Sequence, residues 1–205
     1  MTWIDISQPL CNKTAGWQGD TPYSYSLKWT KEETGSVNVG RFEMSTHLGT
    51  HIDAPFHFDN QGKKVIDLDP NRYIGRAQII EVSKQDVISL KYFQKYNLKE
   101  VSMVLLKTLA WVDRTVFPQR IPVVEEGVIP YLAERGINLF GIDLPSVDHL
   151  DSKELSIHHE LTKYDIHILE GIVLDDVKEG ICDLIALPLP LVEGDGSPVR
   201  AVIRY

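Results

Sequence analysis

The sequence has little cysteine, no long apolar run and fewer basic than acidic side chains. Its two cysteines, Cys11 and Cys182, are too few for a disulfide framework and fit a reducing compartment, so we expect a cytoplasmic protein. No apolar run approaches the roughly 18 residues of a membrane span, and the first ten residues do not resemble a secretory signal. A net charge of −8 argues against nucleic-acid or anionic-membrane partners, because both require a basic face.

What is present is the composition of an ordinary globular protein, with 43% hydrophobic and 24% charged residues in 205. No repeat and no long linker divides the chain, so we predict a single domain over residues 1–205. Strand and helix patterns mix without strict βαβ alternation, which indicates an α+β fold. The patterns predict strands at 3–7, 23–30, 37–44, 77–82, 103–106, 138–142 and 166–173, helices at 89–96, 125–135 and from 151 or 152 to about 162, and a hairpin of 181–187 with 199–204 around the turn-rich GDGSP.

A histidine-rich segment carries the first functional signal. His47, His51, Asp53 and His57 fall within eleven residues, and imidazole with carboxylate suits zinc, manganese or iron better than calcium. On a strand, His51 and Asp53 share a face with Cα atoms roughly 6.6 Å apart, which one ion can bridge. His47 would lie roughly 13 Å from His51 on a straight strand, and the residues between them make a poor helix. We therefore predict a sharp bend at Gly49.

Other readings of this segment are less consistent with the sequence. A single histidine is usually a structural or surface residue, but three histidines and an aspartate at this density weaken that interpretation. The helical H-E-x-x-H pattern of zinc proteases is absent, and so is a C-x-x-C pair for a structural zinc ribbon. No G-x-S-x-G element supports a serine nucleophile.

The stretch HLGTHIDAPFHF resembles the H-x-G-T-H-x-D-x-P-x-H-F signature of the metal-dependent cyclase and hydrolase family, best known from bacterial kynurenine formamidases (arylformamidases). Three more elements resemble the family. They are GWQGDTP at 16–22, with Gln18 where proline is usual, GIDLPSVD at 141–148, and HHELTKYDIHILEGI at 158–172. Gln18 makes the first loop less stiff than proline would, because proline restricts φ.

The resemblance implies a swivelling β/β/α fold around a mixed sheet, a homodimer, and two divalent ions per subunit, usually zinc. Five side chains would hold the ions, with Asp53 bridging them: His47, His51, Asp53, His158 and Glu170. His57 would be the proton donor and acceptor, and Trp17 would pack against an aromatic substrate. The implied reaction is hydrolysis of N-formyl-L-kynurenine to L-kynurenine and formate in tryptophan degradation, with metal-bound hydroxide attacking the formyl carbon.

The residues alone leave several of these assignments open. They do not choose between His158 and His159 as the ligand. Glu170, in the apolar context ILEGI, is either paired or metal-bound, or else lies at a wet strand edge. Trp17 either caps a core or stacks on a flat substrate. We expect His149 and His167 to be structural or exposed.

Two alternative functions remain at this stage. A related enzyme could open another cyclic amide or ester, as isatin hydrolases do, and the complete GW-x-GDTP element favours the formamidase over this reading. A noncatalytic metal- or ligand-binding module on the same fold would be favoured by loss of His57 or of a ligand, but every expected position is filled.

Overall fold

The computed structural model describes residues 2–205 and consists of short strands with four short helices. The strands are, in chain order, β1 (Ile4–Asp5), β2 (Ser24–Trp29), β3 (Val39–Glu43), β4 (His51–Asp53), β5 (Ile74–Glu81), β6 (Val87–Ile88), β7 (Met103–Lys107), β8 (Val123–Val124), β9 (Leu139–Ile142), β10 (His167–Glu170), β11 (Gly180–Ile185), β12 (Gly196–Pro198) and β13 (Val202–Arg204). The helices are α1 (Lys31–Thr34), α2 (Leu90–Phe93), α3 (Val128–Ala133) and α4 (Ser156–Lys163). Within this part of the chain, no helix has the length and apolar character needed to cross a membrane.

Nine strands form one mixed sheet in the order β1-β13-β11-β5-β7-β9-β10-β4-β12. Strands β5, β7, β9 and β10 are parallel to their neighbours in this series, and the other pairs are antiparallel. β12 and β13 lie seven strand spacings apart in this order, about 34 Å in a flat sheet. The short link between these strands reaches about 14 Å at most, so the sheet must curl. The expected α+β fold is confirmed.

The curled sheet has a hydrophobic core on each face. Along β7, Val104 and Leu106 face the helices, while Met103 and Leu105 point into the curl. All four side chains are fully buried. This alternation is the period of a strand that is covered on both faces. Both cores share the same sheet, and the single domain over residues 1–205 stays a prediction.

The predicted hairpin near the C-terminus is partly wrong. β11 and β13 do pair, with Leu184 opposite Ile203. However, GDGSP is not their turn, because Gly196–Pro198 forms β12 and pairs with β4 at the other end of the sheet. A Cβ at Gly196 would lie 2.6 Å from His47 Cε1, so glycine serves here for close approach rather than for a turn.

The predicted start of the 151–162 helix is also wrong. α4 begins at Ser156, four or five residues later than the predicted cap. The free N–H groups of Ile157 and His158 donate to the Asp148 carboxylate at 3.1 and 3.0 Å. A carboxylate from the preceding loop therefore caps this helix, and sequence-local capping rules do not detect it.

The helix predicted at 125–135 is shorter, and it tolerates its proline. Pro130 is the third residue of α3, where its missing N–H costs no intrahelical hydrogen bond. Gly136, with φ of +77°, follows the helical segment and ends it.

His167 makes stability depend on pH. Its Nδ1 is hydrogen-bonded to the Tyr73 hydroxyl at 2.8 Å, and burial, with added repulsion from Arg72, lowers the pKa of His167 to about 4 from 6.5. Between pH 6.5 and 4, His167 is protonated in the unfolded chain but stays neutral in the folded protein. The free energy of unfolding therefore falls as the pH falls through this range. We expect this to cost about 2–3 kcal/mol by pH 4.

The variant His167→Gln keeps an acceptor for Tyr73 but has no titrating group. The free energy of unfolding of the wild type and of this variant is measured with urea at several pH values. The difference between the two proteins isolates the contribution of His167, because the other histidines are the same in both. Equal pH dependence of the two proteins would show that His167 is not responsible.

Candidate metal centre

β4 lies at the centre of a cluster of buried histidines and carboxylates. His51 and Asp53 are 1% and 4% exposed, and they lie on the same face of the strand, as their two-residue spacing predicts. β10 pairs with β4 so that Glu170 is opposite His51, and Glu170 is also buried. Its place in ILEGI is therefore not a wet strand edge.

His47 reaches the same cluster through a bend. Gly49 has φ of +76°, in the left-handed region, which confirms the predicted pivot. The bend brings His47 Nδ1 to 2.9 Å from Asp53 Oδ1. The bend thus overcomes the distance that a straight strand would impose.

α4 contributes His158 and leaves His159 exposed. His158 is 3% exposed, with Nε2 3.3 Å from Asp53 Oδ2 and 3.7 Å from Glu170 Oε1. His159 lies one helical step further round and contacts the ring of Phe58, with centroids 5.2 Å apart. The structure thus separates two neighbours that the sequence alone left equivalent.

The more deeply buried donor atoms form two trios that share Asp53, and His47, His57 and Asp195 form a further possible ligand trio at the edge of the cluster. His47, His51 and Asp53 make the first of the two that share Asp53, and Asp53, His158 and Glu170 make the second, with donor atoms within 4.8 Å of one another in each. His51 Nε2 lies 3.4 Å from Asp53 Oδ1, close to the tetrahedral edge of about 3.3–3.4 Å that zinc bonds of about 2.0–2.1 Å produce.

An orphaned oxygen supports the same fit. Asp53 Oδ2 is buried and makes no hydrogen bond of good geometry among the described residues, although His158 Nε2 lies 3.3 Å away. A buried carboxylate oxygen without a partner is costly, and a cation would satisfy it. The residues therefore fit divalent cations of the kind that nitrogen and oxygen ligands favour.

The cluster is strongly coupled to protons. Burial opposes charge on the histidines, but hydrogen bonds to carboxylates outweigh it and raise the pKa of His47 to about 9 and the pKa values of His51 and His158 to about 10. These histidines hold the pKa of Asp53 well below its usual range, although burial acts in the opposite direction. A divalent cation must displace these protons, so we expect its affinity to fall as pH falls.

His57 lies beside the cluster without hydrogen-bonding to it. It ends a 3-10 turn at Pro55–His57, and 34% of its side chain is exposed. Its ring lies against that of His47, with centroids 3.9 Å apart. Burial, together with repulsion from His47, lowers its pKa below the ordinary value. The neutral form of the ring is therefore favoured more than in a free histidine.

Trp17 lines the cleft that opens onto these groups. The cleft has a volume of about 270 Å³, and its walls include Trp17, His57, Ser146, His149, Leu155 and Glu170. Trp17 packs on Phe117 with ring centroids 4.8 Å apart. Trp17 thus contacts the half-buried Phe117 and also lines the cleft, and its contact with a substrate stays a prediction. His149 lies in the cleft wall and His167 outside it.

Two carboxylates of the site were not predicted from the sequence. His158 Nδ1 donates to Asp148 Oδ2 at 2.7 Å, and His47 Nε2 donates to Asp195 Oδ2 at 3.1 Å. Asp148 lies in the GIDLPSVD element. The sequence pattern identified this element by its resemblance to the family, but it assigned no role to Asp148. Asp195 lies in GDGSP, where an aspartate reads as a turn residue.

The fold is shared with metal-dependent hydrolases. A structure described as a predicted metal-dependent hydrolase from Bacillus stearothermophilus matches with a TM-score of 0.81 and 26% identity, over 98% of this chain and 97% of that one. Isatin hydrolase A from Ralstonia solanacearum matches with a TM-score of 0.82 but 19% identity, over 98% and 91% of the two chains, which shows a common fold alone.

Sequence comparison is more specific. A family model described as putative cyclase matches residues 4–149, and the chain belongs to this cyclase family. A kynurenine formamidase of Bacillus thuringiensis (strain Al Hakam) is 58% identical over 202 residues, which cover 98% of this chain and 97% of the relative. The resemblance that the histidine segment and its companion elements indicated is confirmed.

Proposed function

We propose that this chain is an arylformamidase that hydrolyses N-formyl-L-kynurenine to L-kynurenine and formate in tryptophan degradation. Its near full-length relatives named kynurenine formamidase make it a hydrolase of a linear amide C–N bond. The observation that carries the proposal is the pair of ligand trios sharing Asp53, at the base of a cleft with an indole in its wall.

The proposed cofactor is two divalent ions, zinc in the first instance. His47, His51 and Asp53 would hold one ion, and Asp53, His158 and Glu170 the other. When bound, such ions lower the pKa of water and polarise a carbonyl oxygen, which makes amide hydrolysis feasible at neutral pH. The support is the donor chemistry of both trios and the orphaned Asp53 oxygen.

His57 is the proposed proton carrier. The nitrogen released from a formamide is a poor leaving group until it is protonated. His57 Nδ1 lies 3.8 Å from the nearest oxygen of Asp195, beyond hydrogen-bond distance, so the ring is not held by a strong acceptor. A neutral imidazole there can take a proton from water and pass it to the departing nitrogen.

Trp17 is the proposed contact for the aromatic ring of the substrate. Its indole is half-buried against Phe117, so one face is supported while the cleft remains open beside it. An aryl ring gains about 0.5–1.5 kcal/mol from such a pair beyond its area burial. The alternative substrate, another cyclic amide or ester, has only the shared fold with isatin hydrolase in its favour.

The experiment that tests this function compares N-formyl-L-kynurenine and isatin as substrates of zinc-loaded protein, with a chelator-stripped sample alongside. Kynurenine release is measured by its absorbance. We expect the zinc-loaded protein to release kynurenine rapidly and the stripped protein to release none, with slow or no turnover of isatin. If the protein instead hydrolysed isatin in preference to the formamide, it would be assigned as a hydrolase of cyclic amides or esters.

We also propose that the chain forms a homodimer through the β2–β3 hairpin. This two-stranded sheet has an apolar face on which Tyr25 lies opposite Phe42, with Leu27 beyond them. These side chains are 55%, 58% and 45% exposed. Two strands alone are marginally stable in water, and an exposed apolar patch of this kind marks an interaction surface. A second copy presents the same face and can cover it.

Phe42→Glu should therefore weaken the dimer. A carboxylate in an apolar interface must be desolvated without a partner, which opposes association. Light scattering after size exclusion should give twice the chain mass of 23.3 kDa for the wild type and a smaller apparent mass for the variant. Val112→Glu, at a similarly exposed site outside the hairpin, is the control. If Phe42→Glu had the same apparent mass as the wild type, the hairpin would not be part of the dimer interface.

The partner proposed for the cleft is thus a small molecule, and neither nucleic acid nor a membrane is proposed. The cytoplasmic location expected from cysteine content stays a prediction.

A further inference from the structure

Asp195 enters the site from the loop before β12 and is fixed there at two points. Its backbone carbonyl accepts from the N–H of Ala54 at 2.8 Å. Its side-chain Oδ1 accepts from the hydroxyl of Thr46, also at 2.8 Å. The residue is therefore fastened just before the histidine segment and again within it, although it lies 148 residues after His47.

The other carboxylate oxygen orients His47. His47 Nε2 donates to Asp195 Oδ2 at 3.1 Å, while Nδ1 of the same ring faces Asp53 Oδ1 at 2.9 Å. Backbone packing adds a second restraint, because His47 Cε1 lies where a Cβ of Gly196 would meet it, at 2.6 Å. With its outer nitrogen occupied as a donor, the ring presents the inner nitrogen to the first trio.

The same arrangement recurs at the other clustered histidines. His158 Nδ1 donates to Asp148 at 2.7 Å, and His51 Nδ1 donates to the carbonyl of Gly49 at 3.1 Å. Each imidazole thus has one nitrogen held by an outer acceptor and the other turned inward. Such outer acceptors fix the tautomer and ring orientation of metal-ligating histidines.

We propose that Asp195 is a positioning residue that acts through His47 and sets the affinity of the first trio for a divalent cation. The inference rests on the metal site of the proposed function. Asp195 does not line the substrate cleft, and its hydrogen bond to the proposed ligand set is the one to His47. The side chain is 42% exposed, so its removal should leave the fold intact.

The test compares Asp195→Ala and Asp195→Asn with Glu193→Gln. Glu193 lies on the same loop, and its 79% exposed side chain pairs with Lys64 outside the site. The probes are Zn²⁺, titrated against a chromophoric chelator at fixed pH, and the visible spectrum of the Co²⁺-loaded protein. For Asp195→Ala we expect affinity for one of the two ions to fall by about 10- to 100-fold, with the other unchanged.

Three further readouts separate positioning from a general structural effect. The Co²⁺ spectrum of Asp195→Ala should change, kcat should fall while KM is retained, and Asp195→Asn should recover part of the affinity because its amide oxygen still accepts from His47. Glu193→Gln should match the wild type. Two ions bound to Asp195→Ala with wild-type affinity and an unchanged spectrum would overturn the proposal. If the wild type bound two ions but did not hydrolyse the formamide, the proposed function would be wrong. The positioning role of Asp195 would not be affected.

Discussion

Asp53→Ala should lose both metal ions, because its carboxylate is the one member common to the two ligand trios. Its side chain is almost fully buried where the two trios meet. Turnover should fall by more than about 10³-fold, since even one lost oxyanion donor costs about 10²–10³. Removing the carboxylate also leaves three histidines facing the space it occupied, and we expect the metal-free protein to lose about 3–5 kcal/mol of stability.

Elemental analysis of the purified variant, after incubation with zinc and removal of excess, measures the central effect. Circular dichroism shows whether the variant is folded, and Asp53→Asn provides a second form that keeps the side-chain shape. Asp86→Ala removes an 82% exposed carboxylate and should behave as the wild type. Two ions retained by folded Asp53→Ala would rule out Asp53 as an essential shared ligand.

His57→Ala should give the opposite pattern, with both ions bound and turnover reduced. His57 lies outside both of the proposed ligand trios and is the partly exposed ring at their edge. Loss of a general acid and base costs about 10²–10⁴ in kcat. Single-turnover kinetics with N-formyl-L-kynurenine, together with the metal content, separates the chemical step from loss of the site.

His159→Ala is the matched control for this variant, because that histidine is exposed and contacts Phe58 outside the cluster. A His57→Ala protein with unchanged kcat would exclude a proton-transfer role. Loss of one ion would instead make His57 a ligand, in keeping with its proximity to His47 and Asp195.

The local part of this site follows from the sequence, because it depends on short-range geometry. The two-residue spacing places His51 and Asp53 on one strand face, and the glycine at 49 permits the bend that returns His47. The resemblance to a family supplied the choice of His158, which α4 then places by its helical rotation.

The long-range part could not be read in this way. The sequence around Asp195 is typical of a turn. Asp195 reaches the site only because β12 pairs with β4, which lies more than a hundred residues away in the chain. Asp148 caps α4 from outside the helix and holds His158 with the same carboxylate, a double role with no local sequence pattern. The first depends on the pairing of two distant strands and the second on the path of the loop before α4, and short-range patterns encode neither.

The most direct measurement is a titration of the stripped protein with zinc, in which kynurenine release and bound metal are followed together. We expect activity to be absent without zinc and to reach its maximum as the second equivalent binds, with protons released into the buffer at each step. Turnover of the stripped protein at the rate of the loaded one would contradict the account.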